Sequence, residues 1–336
     1  MSADQQLVGV RVLDLGIWRP APYAAQLLAE LGATVTKIEP PGGDPMRVFT
    51  SLYRTLNHRK QIIEIDLKSD AGRAELVSLL ASCDVVLEGF RPGVAARLGV
   101  DATAALAANP RVIHCSISGF GQVGPLADAS GHDINYQAWA GTLGGAGTGG
   151  VETAGASSAL PVADLAGGAF AALSICAALT RRGLVGADRY EGERIDVSMA
   201  DVLVTWAAPE SGGELTSGDG ASGNFPGYGT FACADGSVSL GIVTEDPFWR
   251  SLCRALALDD VADLDVTSRA AQGAALRARL ATTIVTRGRD ELVAVLLSEG
   301  VPVAPVLSRA EAIALEHFAA RGTVADGVIA HPVRYG

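Results

Sequence analysis

The chain has 336 residues, of which 49% are hydrophobic and 40 are glycine, and its formal net charge at pH 7 is −11. The apolar fraction is too high for a disordered chain, and the length is sufficient for two folded domains. The negative charge argues against nonspecific binding to nucleic-acid phosphates, so an anionic ligand must be bound by a few placed cations.

Targeting and metal-binding signals are missing from the sequence. The longest uncharged apolar stretch, 165–180, is shorter than the roughly 20 residues that a membrane span needs. The N-terminus has no basic segment followed by an apolar core. The five cysteines form no C-x-x-C pair, and the five histidines have no metal-ligand spacing. We therefore expect a cytoplasmic protein with reduced thiols, no membrane span and no bound metal.

The first part of the chain alternates β-branched runs with helical stretches. In chain order the predicted elements are a strand at 10–15, a helix at 24–31, strands at 34–39 and 62–67, a helix at 70–82, and strands at 84–90 and 112–118. Strands that are separated by helices require a parallel sheet with right-handed crossovers. The pattern predicts a doubly wound α/β domain.

The second half begins with a glycine-rich segment at 141–155, predicted to be a mobile loop. A helix of small residues at 164–182 and a strand at 194–199 follow. We predict a large domain at 1–200, a flexible linker at 201–225, a smaller α+β domain at 226–322 and a short tail at 323–336. The small domain begins with a predicted hairpin that turns at Asp235–Gly236.

A dinucleotide-type motif, GFGQVG at 119–124, follows the strand at 112–118. Pro125 comes directly after it, and the sequence opens no helix whose N-terminus could bind a pyrophosphate. We therefore do not predict a nicotinamide cofactor. His132 and Asp164 stand out nearby. Taken alone, His132 is better explained as a polar residue of a loop, and Asp164 can be explained as a helix N-cap.

A series of motifs then resembles the family III CoA-transferases, which include formyl-CoA and carnitine CoA-transferases and α-methylacyl-CoA racemases. The motifs are VRVLDL, NHRKQIIEIDLKSDAG, DVVLEGFRPGVAARLGV, SISGFGQVGPLADASGHDINYQAWAG, PVADLAGG and GERIDVSMAD, and the similarity continues in order to about residue 332. The resemblance implies a Rossmann-like large domain with a parallel sheet, a smaller α+β domain and two subunits interlocked as a homodimer. It also implies a coenzyme A thioester as substrate, with no permanently bound cofactor.

The same resemblance implies three catalytic residues. Asp164 in PVADLAGG corresponds to the carboxylate that forms a mixed anhydride in the transferases and is one of two acid–base groups in the racemases. His132 in GHDINY corresponds to the other acid–base group of the racemases. Glu245 in VTEDPFW corresponds to a third racemase carboxylate. Backbone N–H groups near Gly131 and Asp164 are candidates for binding the enolate oxygen.

Coenzyme A contacts follow from the resemblance as well. Four cations, Lys60, Lys68, Arg91 and Arg97, would bind phosphates. Many racemases carry an arginine just past the second strand, where this chain has Pro40 and Pro41, so that Lys37 is the nearest cation. The remaining implied contacts are Ile65, Asp66, Leu67, Gly89, Phe90, Gly131, Asp133, Ile134, Asn135 and Tyr136.

Three functions remain open at this point. The complete GHDINY match favours an acyl-CoA racemase that uses His132 and Asp164. The Gln137–Ala138 pair keeps open a transferase, which moves coenzyme A to a carboxylic acid acceptor through an anhydride on Asp164. Family chains continue beyond the point where this sequence ends, which suggests as a third option a non-catalytic subunit of a heteromer.

Overall fold

The computed structural model describes residues 5–143, 160–186, 188–207, 225–325 and 328–334. The chain divides into two compact units, Met1–Pro209 with His331–Gly336, and Glu210–Ala330. The predicted glycine-rich loop, from residue 144 onward, and the predicted linker at 208–224 lie outside the described residues.

The first unit is built on a six-stranded parallel sheet with the strand order β3-β2-β1-β4-β5-β6. Its strands are β1 Arg11–Asp14, β2 Thr34–Glu39, β3 Gln61–Glu64, β4 Val85–Glu88, β5 Ile113–Ser118 and β6 Glu193–Ser198. Every residue of β4 and β5 is buried. A parallel sheet is covered by helices on both faces, which is why these strands are almost continuously apolar.

Eight helices accompany this sheet among the described residues. They are α1 Pro20–Glu30, α2 Thr50–Asn57, α3 Asp70–Ser82, α4 Val94–Leu98, α5 Ala102–Ala108, α6 Asp133–Trp139, α7 Val162–Val185 and α8 Met199–Ala207. Val12 of β1 packs in one core with α1 and α7, and the next residue, Leu13, packs in another core with α3 and α5. The first unit is therefore doubly wound, as predicted.

Small residues let α7 pack closely against α1. A Cβ atom on Gly168 would lie 2.7 Å from the carbonyl oxygen of Pro20 and 2.9 Å from Tyr23. Helix α7 has 24 residues, more than the sequence predicted, and by length and composition it could cross a membrane. Its buried alanines and Ile175 belong to the core of the first unit, so one face of the helix packs in that core.

Several element boundaries differ from the prediction. β2 and α3 match it residue for residue, and Ser69 caps α3 by accepting a hydrogen bond from the Gly72 N–H at 3.0 Å. α1 begins at Pro20, earlier than predicted, because proline is well suited to the first turn of a helix. Residues 201–207 were predicted as linker, and this was wrong: they belong to α8, where Val202 and Leu203 are buried.

The second unit contains an antiparallel sheet with the strand order β7-β8-β9 and a short antiparallel pair of strands, β10 and β11. Its strands are β7 Tyr228–Ala232, β8 Ser237–Gly241, β9 Val303–Pro305, β10 Val324–Ala325 and β11 Val328–Ile329. Its helices are α9 Asp246–Ala255, α10 Val266–Ala271, α11 Gly273–Ile284, α12 Arg289–Ser298, α13 Arg309–Ile313 and α14 Glu316–Ala320. Trp249, Leu280 and Leu296 lie in its own apolar core. A mixed α/β fold with a parallel sheet and a smaller α+β unit is thus confirmed.

Candidate active site

A cavity of about 580 Å³ lies beyond the carboxyl ends of β1, β4 and β5 in the first unit. β1 and β4 are neighbours in the sheet, although β2 and β3 lie between them in the sequence. The connections from β1 and β4 leave in opposite directions, which opens a crevice at this switch point, the usual ligand site of such sheets. The residues that line it are Ile17, Trp18, Pro20, Gly89, Phe90, Arg91, Pro92, Val94, Ile117, Ser118, Gly119, Ala127, Ala129, Ser130, Gly131, His132, Asn135, Tyr136, Asp164 and Met199.

Asp164 lies in the first turn of α7, with its side chain half-buried at the cavity wall. Burial raises the pKa of its carboxyl group, the negative charge of Asp133 raises it further, and the charge of Arg19 lowers it. Together these effects move the pKa from 3.8 to about 6. Asp164 can therefore exchange a proton close to neutral pH, which few carboxyl groups do.

Asp133 links α6 to α7 by hydrogen bonds and is not among the residues that line the cavity. Its Oδ1 atom accepts a hydrogen bond from the Asp164 N–H at 3.1 Å, and its Oδ2 atom accepts one from the Gln137 side chain. The Asp164 N–H was one candidate for binding an enolate oxygen. In this structure it already donates to Asp133, so it is not free to bind that oxygen.

His132 directly precedes α6, and its imidazole is exposed and lines the cavity. The backbone N–H of His132 donates to the Oδ1 atom of Asn135 at 3.0 Å. The GHDINY segment therefore forms the start of a helix rather than an open loop. Asp164 lines the same cavity from α7. The fold therefore brings these two predicted catalytic residues to one site.

Tyr136 explains two glycines in this wall. Its hydroxyl donates to the carbonyl oxygen of Gly131, and its ring fills the space beside Gly119. A Cβ atom at residue 119 would lie 2.3 Å from the ring, and one at residue 131 would lie 2.7 Å from it. Both positions therefore require glycine if the ring is to stay where it is.

The predicted coenzyme A contacts fall into two groups. Six of them line the cavity, namely Gly89, Phe90, Arg91, Gly131, Asn135 and Tyr136. Asp133 is outside the lining and contacts the backbone of Asp164. Also outside the lining are Ile134, Lys68, Arg97, Asp66, Leu67 and the core residue Ile65. Within the described part of the chain, Arg91 is the one lysine or arginine of the lining.

Lys37 and Lys60 do not face a ligand in this structure. Both side chains are 0% exposed: Lys60 pairs with Asp14 at 2.8 Å, and Lys37 pairs with Asp44 at 3.0 Å. Lys37 also donates to the carbonyl oxygen of Gly16. The prediction that they contact coenzyme A is corrected here, because their ammonium groups are buried and already paired with carboxylates.

Glu245 lies in the second unit, directly before α9, and is exposed. It accepts a hydrogen bond from the Val243 N–H at 2.9 Å, and backbone hydrogen bonds of this kind hold its pKa below the ordinary value. It is not among the residues that line the cavity. Its catalytic role stays a prediction from the resemblance.

Sequence reasoning missed Trp18 and Arg19, which follow β1. The Trp18 ring lies edge to face against the His132 ring, with centroids 6.3 Å apart. The charge of Arg19 acts on Asp164. Their position in the sequence could have indicated this, because the segment after the first strand of a doubly wound sheet borders the ligand crevice. Among the residues that the structure describes, no group of His, Cys, Asp and Glu side chains could hold a metal ion.

The fold and the site define an α/β protein in which His132 and Asp164 line a cavity at the switch point of a parallel sheet. Comparison with known proteins gives its family. The family model described as CoA-transferase family III matches residues 7–334. The chain belongs to this family and is an enzyme of it.

Relatives within the family carry two kinds of name. The chain is 31% identical to a succinate–glutarate CoA-transferase of Agrobacterium fabrum, over 95% of this chain and 84% of that one. It is 34% identical to the alpha-methylacyl-CoA racemase of Homo sapiens, over 75% of this chain and 65% of that one. Among solved structures, a CAIB/BAIF family protein from Brucella suis matches with a TM-score of 0.85 and 29% identity, over 98% of this chain and 92% of that one.

Proposed function

We propose that this enzyme catalyses proton transfer at the α-carbon of an acyl-CoA thioester, in the manner of an α-methylacyl-CoA racemase. His132 and Asp164 are its two acid–base groups. The observation that carries the proposal is that both side chains line one cavity, in which Asp164 has a pKa of about 6. A racemase among the relatives is further support.

The reaction needs two such groups. One removes the α-proton, the electron pair moves onto the thioester oxygen to give a planar enolate, and the other returns a proton to the opposite face. Each group is most effective when its pKa lies near the working pH. A carboxyl group with a pKa of about 6 meets this requirement, and an imidazole is the side chain that ordinarily exchanges protons near neutrality.

Coenzyme A enters this proposal as part of the substrate. Arg91 is the cation of the described lining that could bind a phosphate, and a guanidinium can do so through two hydrogen bonds. Ile17, Phe90 and Ile117 supply an apolar surface for the acyl group. The cavity thus combines a charged and an apolar region, as an acyl-CoA requires.

A CoA-transferase activity is the second candidate, and the transferase names among the relatives favour it. In that reaction the Asp164 carboxylate attacks the acyl thioester and releases the CoA thiolate. The thiolate then attacks the Asp164 carbonyl of this anhydride, which releases the donor acid and leaves CoA as a thioester on Asp164. The acceptor carboxylate attacks that thioester to form a second anhydride and release the thiolate, and the thiolate attacks the acceptor carbonyl to give the new acyl-CoA and free Asp164. Asp164 serves both reactions, whereas a histidine on the opposite face of an enolate serves only the first.

The two candidates are distinguished by incubation with a 2-methylacyl-CoA in D₂O, without an acceptor acid. A two-base enzyme is expected to incorporate deuterium at the α-carbon, because its acid–base groups exchange protons with solvent. The His132→Ala variant should lower this exchange at least about 100-fold. His58→Ala, which removes an exposed histidine outside the cavity, is the matched control and should exchange normally.

Absence of exchange in the native enzyme would contradict the racemase proposal. If hydroxylamine then traps an acyl group on Asp164 in the presence of an acyl-CoA, the enzyme is a transferase. If neither exchange nor trapping occurs, the third option, a non-catalytic subunit, gains support.

Charge reversal at Arg91 is expected to weaken binding of the CoA thioester. A charge-assisted hydrogen bond contributes about 1.5–3 kcal/mol, so Arg91→Glu should raise the dissociation constant by about 10- to 100-fold. Arg97→Glu is the matched control, since Arg97 is exposed on α4 and lies outside the lining. Titration calorimetry with acetyl-CoA measures the dissociation constants of both variants. Equal losses of affinity would show that Arg91, which lines the cavity, contributes no more to binding than Arg97, which does not.

A further inference from the structure

Trp18 has a strained backbone between the end of β1 and the start of α1. Its φ angle is +64°, in the left-handed region that favours glycine. Ala257, in the second unit, is the other non-glycine residue with a positive φ in the described chain. A tryptophan has no short polar side chain that could stabilise this conformation by a local hydrogen bond, so the strain must be offset elsewhere.

Burial of the indole does not offset this strain fully. A tryptophan can contribute a large apolar area to a core, but the Trp18 side chain is 42% exposed and lines the cavity. Strained residues that remain exposed cluster at functional sites, where the surrounding structure holds them for a purpose other than stability.

The contact of Trp18 with His132 indicates that purpose. The two rings meet edge to face, with an interplanar angle of 84° and centroids 6.3 Å apart, in the range of favourable T-shaped pairs. Both residues line the same cavity, and the imidazole is otherwise exposed. An exposed imidazole can adopt several rotamers, and a neighbouring ring that is held rigidly restricts this choice.

We propose that Trp18 is a positioning residue: its backbone holds the indole against His132 and so fixes the orientation of the imidazole towards the α-carbon of a bound acyl-CoA. This inference rests on the proposed role of His132 in proton transfer. The indole itself transfers no proton. It selects the His132 rotamer in which the ring nitrogen faces the substrate.

Replacing Trp18 by glycine separates positioning from stability. Glycine adopts a positive φ freely, so Trp18→Gly should melt at or above the temperature of the native enzyme. The rate of α-deuterium exchange should nevertheless fall by about 10- to 100-fold, as expected for a misplaced catalytic group. KM for the acyl-CoA should change less than about threefold, and Trp18→Phe, which keeps an aromatic edge, should retain at least about a third of the native rate.

Two further variants serve as controls. Ala257→Gly relieves the other positive φ and should raise the melting temperature without altering exchange. Trp139→Ala removes a tryptophan that is 67% exposed and outside the lining, and it should exchange at the native rate.

The decisive measurement is made in the His132→Ala background, where residual exchange is followed over long incubation. If Trp18 acts through His132, adding Trp18→Gly should cause no further loss. A further loss of tenfold, or a Trp18→Gly variant that loses stability and activity together, would overturn the inference. Normal exchange in Trp18→Gly would overturn this inference alone, whereas normal exchange in His132→Ala would overturn the proposed function itself.

Discussion

Replacement of Asp164 by asparagine is expected to lower both α-deuterium exchange and anhydride formation by at least about 1,000-fold. Asparagine keeps the shape of the side chain but can neither accept the α-proton nor attack a thioester. Mass spectrometry of the deuterated substrate measures the first reaction, and hydroxylamine trapping measures the second. Native exchange in Asp164→Asn would show that Asp164 is not one of the two acid–base groups.

The same variant tests whether the Asp164 carboxyl group is buried as the structure indicates. Burial raises the pKa of Asp164 from 3.8 to about 6, so the folded state binds this proton more tightly than the unfolded state. The ionised carboxylate therefore costs stability as the pH rises from about 4 to about 6, and the full cost remains above pH 6. Asparagine carries no charge and avoids this cost.

We consequently expect Asp164→Asn to melt at a higher temperature than the native enzyme at pH 7–8, and this difference should disappear near pH 4. The activity of the native enzyme should depend on the ionisation of Asp164. It should fall as the pH drops through about 6, where this base becomes protonated. A variant that melts lower than the native enzyme at pH 7 would contradict this account and would also make its loss of activity ambiguous.

Replacement of Lys60 by methionine is expected to cause the largest loss of stability. The Lys60 and Asp14 side chains are both 0% exposed and 2.8 Å apart, and Lys60 also donates to the carbonyl oxygen of Pro22. Burial by itself would raise the pKa of Asp14, but Lys60 and Lys37 hold it below its ordinary value. Removing Lys60 leaves the Asp14 carboxylate buried without this partner, which typically costs about 3–5 kcal/mol.

Urea unfolding of the variant measures this loss, with Lys68→Met as the matched control. Lys68 is exposed, and its replacement should change the free energy of unfolding by less than about 0.5 kcal/mol. Adding Asp14→Asn to Lys60→Met should recover part of the loss, because the buried charge is then removed. A Lys60→Met variant with native stability and weakened binding of acyl-CoA would instead restore Lys60 as a ligand contact.

Local signals in the sequence determined much of the first unit. The β-branched residues of Thr34–Glu39 and the serine before Asp70–Ser82 mark their elements without help from distant residues, and both elements are observed with the predicted bounds. Alternation of such elements determines the parallel sheet, since parallel strands need crossover helices. The motif series determined the family, which the match over residues 7–334 confirms.

The tertiary structure decided which charged residues face the cavity. Lys37 and Lys60 were predicted to face a ligand, but burial depends on which strands become neighbours. Asp14 of β1 lies opposite Lys37 of β2 in the sheet, and Lys60 reaches the same carboxylate from beyond α2. No local pattern reveals such a pairing, because its partners are distant in sequence.

The candidate active site also depends partly on the sequence and partly on the tertiary structure. The sequence named His132 and Asp164 through the resemblance, but only the folded chain brings α6 and α7 to the carboxyl end of the sheet, where the two residues line one cavity. Burial among these elements raises the pKa of Asp164 to about 6, and the turn after β1 sets Trp18 against His132. Residue types are local properties, whereas burial, charge pairing and backbone strain arise only when distant segments pack together.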